Sequence, residues 1–345
     1  MVLKESKFII ERTKPVNLNP DDSFLFENEY KRTFNVQDIV FKKNVYVYNS
    51  RLFKFKYINF YSNHWRMTDF WISQKIQLFL NNIKNLFFEK KILEIEIISK
   101  ASWVLDQKSW KYMHWFSDVL QRIDRVENNL KEYPVLIFND YLNYEYISET
   151  LNKLNLPFIV IDKNKKYLIK NLLISPHPAP SGNYIEPLIK NISKKLKKEF
   201  KNEKNYEQEN RLKIWVSRQE ASIRKEKNFK ELSVLLKKFG FQIVNFEKLN
   251  FCEQVKLASN SVILAGLHGA GLTNMIFMNE GASVLEVRSS IDFKNNCYFS
   301  LASALNINYF YSKAYVKNKF NEVHSGEYDI DLVMLEENIK KILTV

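Results

Sequence analysis

The sequence has little glycine, little cysteine and no long apolar run. Only seven glycines, eight prolines and two cysteines occur in 345 residues. Cys252 and Cys297 form no Cys-x-x-Cys pair, which argues against a disulfide framework or a zinc site and fits a reducing compartment. No uncharged apolar stretch reaches the ~18 residues of a membrane-spanning helix. Residues 1–30 are charged and lack the apolar segment of a signal peptide, so the sequence predicts a cytoplasmic protein.

Aromatic and basic residues, by contrast, are abundant. The chain has 26 Phe, 18 Tyr and a formal net charge of +13, and its hydrophobic fraction of 46% excludes global disorder. A basic chain is compatible with nucleic acid, an anionic membrane surface or anionic substrates. The lysines are dispersed among Asn and Glu, so the charge does not choose among these partners. The lysine-rich run at 190–198 predicts a solvated helix face, with peripheral docking on a membrane as the alternative.

Apolar periodicity divides the chain into two regions of alternating strands and helices. Residues 1–35 are predicted as an extended arm, 36–60 as strands or a hairpin, and 61–92 as a loop and a helix. Strands and helices then alternate over residues 93–175 and again over 211–312. Such alternation implies parallel strands with helices on the sheet faces. The sequence therefore predicts an α/β protein with two Rossmann-like domains.

The Pro-rich segment 175–182 is the predicted linker between these domains. We predict an N-terminal domain over 1–176 and a C-terminal domain over 177–330. Residues 331–345 are predicted as a final helix, with packing against the N-terminal domain as one alternative.

The most informative stretch is Ala265-Gly266-Leu267-His268-Gly269-Ala270-Gly271-Leu272-Thr273-Asn274, which lies between two apolar runs. Four of the seven glycines fall between 266 and 281. Glycine permits positive φ and close approach to a ligand, and a helix start offers free N–H groups to an anion. The stretch therefore predicts a phosphate-binding turn, with a tight turn that binds nothing as the alternative. Its glycine order is neither the dinucleotide fingerprint nor a P-loop.

Arginines near the preceding strand extend this candidate anion site. Arg218 ends the strand predicted over 212–217, and its guanidinium suits bidentate binding of phosphates and stabilisation of a leaving diphosphate. Arg224 assists from the same loop, unless both are only part of a charged surface loop. Within the turn, His268 bonds or balances a phosphate, and the later polar residues offer donors. The predicted diphosphate-binding residues are Arg218, Arg224, His268, Gly269, Ala270, Gly271, Leu272, Thr273 and Asn274.

Three more residues at strand ends are candidates for nucleoside contacts. Glu286 closes an apolar strand, where its carboxylate either accepts hydrogen bonds from ribose hydroxyls or forms a salt bridge. Phe246 and Glu247 end another strand–helix unit and are predicted to meet the nucleobase or the ribose.

Several of these motifs together resemble glycosyltransferase family 61, which includes capsular polysaccharide-type bacterial enzymes and eukaryotic β-xylosyl- and N-acetylglucosaminyltransferases. The resemblance covers residues ~211–312 and departs at Phe229, where the family often has Glu. A weaker resemblance lies in Tyr112-x-His114-Trp115-x-x-Asp118. The motifs that carry the main resemblance are Val216-Ser217-Arg218, Arg224, Asn228, Phe251-x-x-Gln254-Val255, His268 to Asn274 and Val284-Leu285-Glu286.

This resemblance implies a GT-B fold, in which two Rossmann-like domains face a central cleft. It implies inversion at the anomeric carbon, a nucleotide-sugar donor, usually UDP-linked, and no required metal or cofactor. The C-terminal domain is then expected to bind the donor. The N-terminal domain is expected to bind a glycan or lipid-linked glycan acceptor, as in surface polysaccharide synthesis.

An inverting transferase needs a general base for the acceptor hydroxyl. His114 and Asp118 lie one helical turn apart and are the candidates. In the alternative, Asp118 orients His114 or faces solvent, and His114 is a core histidine. His177 either reaches the cleft or belongs to a plain turn.

Other classes of function remain as alternatives. A basic nucleic-acid-binding protein fits the charge, but no DNA- or RNA-reading motif is present. A nicotinamide-dependent oxidoreductase fits the fold class but lacks the Gly-x-Gly-x-x-Gly fingerprint after an early strand. A nucleotide-binding homologue without activity is also compatible with the motifs, since fold does not guarantee function.

Overall fold

The computed structural model describes residues 5–48, 51–53, 60–61, 94–201, 211–316 and 326–345. Almost all of the loop and helix predicted over 61–92 lies outside these residues. The chain divides into two compact units, one formed by Met1–Phe8 and Phe34–Ser181, the other by Ile9–Thr33 and Gly182–Val345. A two-stranded sheet of β1 (Glu5–Glu11) and β2 (Lys31–Gln37) carries the chain from one unit to the other and back.

The first unit is built on a mixed seven-stranded sheet. Its strands are β3 (Val40–Tyr48), β4 (Arg51–Phe53), β5 (Phe60–Tyr61), β6 (Ile95–Trp103), β7 (Val135–Phe138), β8 (Phe158–Ile161) and β9 (Lys166–Ile174). They lie in the order β5-β4-β3-β9-β6-β7-β8. The four strands from β9 to β8 are parallel, and β3, β4 and β5 continue the sheet with antiparallel pairs. The parallel half confirms the prediction from the alternating strands and helices.

The helix that follows β6 is interrupted by a π-helical turn. The chain runs through α1 (Tyr112–His114), a π-helical segment (Trp115–Val119) and α2 (Leu120–Arg125), and α3 (Glu145–Lys153) follows β7. All five residues of the π segment are buried. Such π turns widen a helix locally and occur frequently at functional sites. The predicted helix is therefore present, with a distortion that apolar spacing alone does not reveal.

The Pro-rich segment 175–182, which was predicted as a linker, is hydrogen-bonded to the first unit. Ser175 Oγ donates to the carbonyl of Arg122 at 2.8 Å, and Arg122 Nε donates back to the Ser175 carbonyl at 2.7 Å. Arg125 Nη1 donates to the Pro176 carbonyl at 2.7 Å. The division between the units falls after Ser181, at the far end of this segment from the boundary predicted at residue 176.

The second unit contains a six-stranded, mostly parallel sheet. Its strands are β10 (Leu212–Val216), β11 (Gln242–Val244), β12 (Ser261–Leu267), β13 (Ser283–Ser289), β14 (Asn308–Tyr315) and β15 (Asp329–Ile330). The order is β11-β10-β12-β13-β14-β15, and β15 alone pairs antiparallel. Every residue of β13 is buried, as expected where both faces of a parallel sheet are covered.

Five helices accompany this sheet within the described residues: α4 (Glu186–Lys201), α5 (Phe229–Lys238), α6 (Phe251–Ser259), α7 (Cys297–Ala304) and α8 (Leu332–Ile342). The predicted capping box of Asn250 and Glu253 is present at the start of α6. The predicted helix after β12 is a 3₁₀ helix, Ala270–Phe277. Leu335 and Ile339 of α8 belong to the hydrophobic core of the second unit. The alternative that α8 packs on the N-terminal domain is therefore not needed to bury its apolar face.

The lysine-rich helix α4 is amphipathic. Ile189, Ile192 and Leu196 are buried, whereas Lys194 and Lys198 are exposed. Among the described helices, none combines the length and apolar character that a bilayer crossing requires.

Residues 9–33 are part of the second unit, whereas the sequence predicted an extended arm. Arg12 Nε donates to Ser300 Oγ at 3.0 Å, and Asn17 Nδ2 donates to the Tyr311 carbonyl at 2.7 Å. Phe26 is fully buried among the aromatic rings of this unit. The polar character of the segment was misleading, because its polar groups bond residues almost three hundred positions away along the chain.

Candidate functional site

The candidate site of the second unit lies at the carboxyl edge of its parallel sheet. Arg218 follows β10, Phe246 follows β11, His268 follows β12, and a loop over 290–296 follows β13. Because these strands are parallel neighbours, their carboxyl ends meet at one edge. Ligands of open α/β sheets bind at that edge.

Arg218 organises the loop after β10. Its backbone N–H donates to the carboxylate of buried Glu226 at 3.0 Å. Its side-chain Nε and Nη2 donate to the carbonyls of Arg224 and Ile223 at 3.1 and 3.0 Å. The remaining nitrogen, Nη1, lies against Gly269, where an added Cβ would be 2.5 Å from it. The Arg218 guanidinium thus bonds two carbonyls of the loop that follows β10 and also contacts the glycine turn.

Arg224 extends from this loop to the same turn. It has a left-handed backbone with φ of 59°, and its Nη1 donates to the His268 carbonyl at 2.9 Å. Its buried Nε has no hydrogen-bond partner among the described residues. Burial, and next the charge of Arg224, lower the pKa of Arg218. Within the described residues neither arginine forms an ion pair with a carboxylate, so the two charges together favour an anion.

Three of the four clustered glycines are needed for close packing rather than for positive φ, whereas Gly281 has a φ of 79°. Gly266, Gly269 and Gly271 all lie outside the left-handed region. A Cβ on Gly271 would be 2.7 Å from Val216 Cγ1, and one on Gly266 would be 2.9 Å from the Val216 carbonyl oxygen. The cluster therefore lets β10 and its following loop approach the turn, which differs from the conformational reason expected from the sequence.

The polar residues later in the stretch face the interior. Thr273 and Asn274 are fully buried, and Leu272 is buried beside them. Asn274 Nδ2 donates to the Gly271 carbonyl at 3.1 Å, which holds the turn closed. Ala270 is exposed at the start of the 3₁₀ helix. In the structure, the expected side-chain donors are therefore internal, and the helix start offers backbone N–H groups.

The imidazole of His268 is hydrogen-bonded to the buried carboxylate of Glu286. Its Nδ1 is hydrogen-bonded to Glu286 Oε1, and the Tyr309 hydroxyl donates to Glu286 Oε2. Its ring packs edge-on against Tyr298, with centroids 4.9 Å apart. Burial alone would raise the pKa of Glu286, but His268, Arg288 and Tyr309 hold it below its usual range. Of the roles considered for Glu286, the structure shows the contact with His268, which is a salt bridge when the imidazole is protonated.

The other nucleoside candidates differ in exposure. Phe246 is buried, and its Cδ2 is 3.8 Å from the Cβ position of Gly271. Glu247 is exposed, and its charge acts to raise the pKa of Arg218. Both therefore lie beside the turn and the arginine loop.

Asn228 and Phe229, which were noted with the family resemblance, contact other parts of the second unit. Asn228 exchanges hydrogen bonds with the backbone of Ile330, at 2.8 and 3.1 Å. Phe229 packs against the hydrophobic core of the unit. This pair fixes the start of α5 and the short strand β15.

In the first unit, His114 and Asp118 form a hydrogen-bonded pair, as their spacing predicted. His114 Nδ1 lies 2.7 Å from Asp118 Oδ2, and Ser181 Oγ donates to the same oxygen at 2.7 Å. Ser117 Oγ donates to the other carboxylate oxygen at 3.1 Å. Burial would raise the pKa of Asp118, but the contacts of His114, Ser181 and nearby His177 lower it. The carboxylate is therefore charged and faces the imidazole.

A second carboxylate–histidine pair lies beside the first. His177 Nε2 is 2.9 Å from Asp106 Oδ2, and Arg122 Nη1 is 3.8 Å from that oxygen. Burial opposes the charge of Asp106, but His177 and Arg122 hold its pKa well below the usual range. Within the described residues, no group of three or more His, Cys, Asp or Glu side chains is arranged to hold a metal ion.

Sequence reasoning missed Asp106, Arg122 and Ser181. Asp106 directly follows the apolar residues 103–105 at the end of β6, and Arg122 is spaced four residues from Asp118, so both had a signal. Ser181 had none, because it meets Asp118 across a separation of 63 residues.

Comparisons with known proteins match the region that contains these groups. The family model for glycosyltransferase 61 matches residues 112–285, about half of the chain. EGF domain-specific O-linked N-acetylglucosamine transferases are similar over shorter segments. The Drosophila melanogaster protein is 38% identical over 72 residues, which are 21% of this chain and 14% of that protein. The Pan troglodytes protein is 32% identical over 104 residues, which are 29% of this chain and 19% of that protein.

The Xenopus laevis protein is 30% identical over 129 residues, covering 35% of this chain and 24% of that protein. The chain therefore spans less than a quarter of the length of these curated relatives.

We predict that Asp106→Asn destabilises the protein at neutral pH by about 3–5 kcal/mol, because it removes a buried carboxylate that bonds His177 and compensates much of the charge of buried Arg122. The folded-state pKa of Asp106 is depressed, so its contribution is present above the unfolded value of about 4 and is lost as the pH falls further. Chemical denaturation should therefore show a gap between wild type and variant that narrows on acidification. The control is Asp140→Asn, which removes an exposed pair with Lys163 and should cost at most about 1 kcal/mol. Equal costs for the two variants would contradict the prediction.

Proposed function

This chain belongs to the glycosyltransferase 61 family, and we propose that it is an inverting enzyme that moves a sugar from a UDP-sugar to a hydroxyl group of a glycan or glycolipid. The observation that carries the proposal is the pair Arg218 and Arg224 at the carboxyl edge of the second sheet. Their guanidinium groups converge on the turn at Gly269 and have no carboxylate partner among the described residues. A diphosphate supplies the missing negative charge.

The donor diphosphate is proposed to lie between the arginine loop and the glycine turn. Arg218 Nη1 lies against Gly269, and Arg224 Nε is a buried donor without a partner in the described structure. The backbone N–H groups that start the 3₁₀ helix at Ala270 add further donors. Phe246 and Glu247 beside the turn are proposed to contact the nucleoside. The arginines take the charge of the leaving diphosphate, so we propose neither a metal nor a cofactor.

The acceptor's base is proposed to be His114, with Asp118 as its positioning residue. Asp118 and Ser181 both approach Nδ1 of the imidazole, at 2.7 and 3.2 Å. A charged carboxylate can only accept, so in the neutral imidazole the proton lies on Nδ1 and Nε2 has the lone pair that a base needs. The histidine side chain is partly exposed, whereas Asp118 is buried. This arrangement favours His114 over Asp118 as the group that meets the acceptor.

In the proposed reaction, His114 Nε2 takes the proton of the acceptor hydroxyl as its oxygen attacks the anomeric carbon. The bond between that carbon and the diphosphate oxygen breaks, and its electron pair leaves with the diphosphate towards Arg218 and Arg224. Attack opposite to the leaving group inverts the anomeric configuration. We propose the GT-B arrangement for the whole molecule, with the second unit binding the donor and the first binding the acceptor.

The relatives narrow the donors to be tested first. Their name denotes transfer of N-acetylglucosamine to EGF domains, so UDP-N-acetylglucosamine is the first donor and a protein hydroxyl is a further acceptor class. A role in surface polysaccharide synthesis, a cytoplasmic location and peripheral membrane contact through α4 remain predictions from the sequence.

We predict that Arg224→Ala weakens UDP binding at least about tenfold, measured by isothermal titration calorimetry, because a charge-assisted hydrogen bond to phosphate is lost. Arg218→Lys keeps the charge but loses the fork that closes the loop, and should weaken binding similarly. Lys237→Ala is the matched control. It removes an exposed positive charge from the last turn of α5, whereas the arginine loop precedes the first turn. The donor site is wrongly assigned if the arginine variants bind UDP as tightly as Lys237→Ala.

We predict that His114→Ala lowers the rate of UDP release from a UDP-sugar by a factor of about 10² to 10⁴, as expected for loss of a general base. UDP affinity should stay unchanged, because His114 lies in the first unit and the proposed diphosphate contacts lie in the second. Rates are measured with a panel of nucleotide sugars and glycan acceptors. A variant with the wild-type turnover number would exclude His114 as the base.

A further inference from the structure

His268, Glu286 and Tyr309 form a hydrogen-bonded chain that runs from the interior of the second unit to the candidate diphosphate site. We call these three residues the imidazole chain. The side chain of His268 is 14% exposed, that of Glu286 is 0% exposed, and Tyr309 is buried. Within the imidazole chain, the histidine is therefore the member that is accessible to solvent.

The protons of the imidazole chain follow from the chemistry of its members. Burial, and next the charge of Glu286, raise the pKa of Tyr309 well above its usual value, so its hydroxyl stays protonated and donates. Glu286 has a lowered pKa, so it is a carboxylate that only accepts. The nitrogen of His268 that faces Glu286 must then carry a proton. That nitrogen is Nδ1, which leaves Nε2 as the outward group.

We propose that Glu286 and Tyr309 are positioning residues that hold His268 with Nε2 towards the diphosphate, and that diphosphate binding is coupled to a proton on Nε2. This inference rests on the proposed donor site. A phosphate oxygen accepts hydrogen bonds, so an Nε2 lone pair would repel it, whereas an Nε2–H bonds it. Glu286 then compensates the positive charge of the imidazolium, as carboxylates do behind other functional histidines.

The charges around His268 are balanced so that a bound ligand can decide whether Nε2 carries a proton. Arg218 and Arg224 in the loop after β10, and Arg288 in β13, oppose a positive charge on His268. Asp292 in the following loop favours it, as Glu286 does from β13. The phenol groups of Tyr298 in α7 and Tyr309 in β14 are neutral at ordinary pH because their pKa values are raised. A bound diphosphate adds negative charge and shifts the balance towards the protonated imidazole.

The test is calorimetric titration of the full-length protein with inorganic pyrophosphate and with UDP, in buffers of different ionisation enthalpy. The wild type should take up more protons on binding than His268→Asn, for which the ionisation of the ligand is the same. Its affinity relative to that variant should fall as the pH rises and Nε2 loses its proton. Glu286→Gln should bind about tenfold to a hundredfold more weakly, by analogy with the loss of carboxylates that orient metal-ligating histidines. It should also lose most of the pH dependence. A wild type whose proton uptake equals that of His268→Asn at every pH overturns the coupling.

Two tyrosines of β14 provide a matched pair of variants if Glu286→Gln does not fold. Tyr309→Phe removes the hydroxyl that bonds Glu286 and should weaken binding about threefold to tenfold, the equivalent of one hydrogen bond. Tyr311→Phe removes a buried hydroxyl two residues along the strand, which bonds Asp22 at 2.7 Å and does not belong to the imidazole chain. It should leave pyrophosphate affinity unchanged. Equal effects of the two variants overturn the positioning role of Tyr309.

A measurement without any ligand separates this inference from the proposed function. Nitrogen-15 NMR reports the tautomer of each imidazole. The protein has only five histidines, so the signal that disappears in His268→Asn is that of His268. The neutral form of His268 should carry its proton on Nδ1, and a proton on Nε2 alone overturns the positioning roles whether or not nucleotides bind. Failure of the wild type to bind pyrophosphate or UDP would instead contradict the donor site, and the coupling with it.

Discussion

The candidate donor site depends on the close contact between the guanidinium of Arg218 and the backbone of Gly269. An added Cβ at that glycine would be 2.5 Å from Nη1, so no other residue fits without moving the arginine. The same side chain closes its own loop through two carbonyls, and Arg224 joins that loop to His268. Two positive charges are thereby held at one sheet edge without a compensating ion pair among the described residues. We propose that an anionic ligand relieves the repulsion between these two charges.

Buried carboxylates support the groups that face solvent in both units. Glu226 accepts from the backbone of Arg218 and fixes the loop after β10. Glu286 stands behind His268 in the second unit, and Asp118 stands behind His114 in the first. In each histidine pair, a charged acceptor determines which ring nitrogen is turned outward. Contacts of this kind fix the tautomer and the ring orientation of a functional histidine.

The sequence predicted the parts of this arrangement that depend on local pattern. Alternating strands and helices indicated parallel sheets, and the carboxyl-edge rule then grouped Arg218 with His268. The i, i+4 spacing of His114 and Asp118 predicted their pairing. Long-range contacts were beyond local pattern, so the bond from Ser181 to Asp118 and the packing of residues 9–33 were missed. The glycine cluster was recognised, but its steric cause needed the position of the neighbouring strand.

The most direct test of the donor site is a crystal structure of the protein with UDP bound. We expect the diphosphate to lie at the carboxyl edge of the second sheet. Its oxygens should be within hydrogen-bond distance of the guanidinium groups of Arg218 and Arg224 and of His268 Nε2. A diphosphate bound elsewhere, out of hydrogen-bond distance of both guanidinium groups, would contradict this assignment of the donor site.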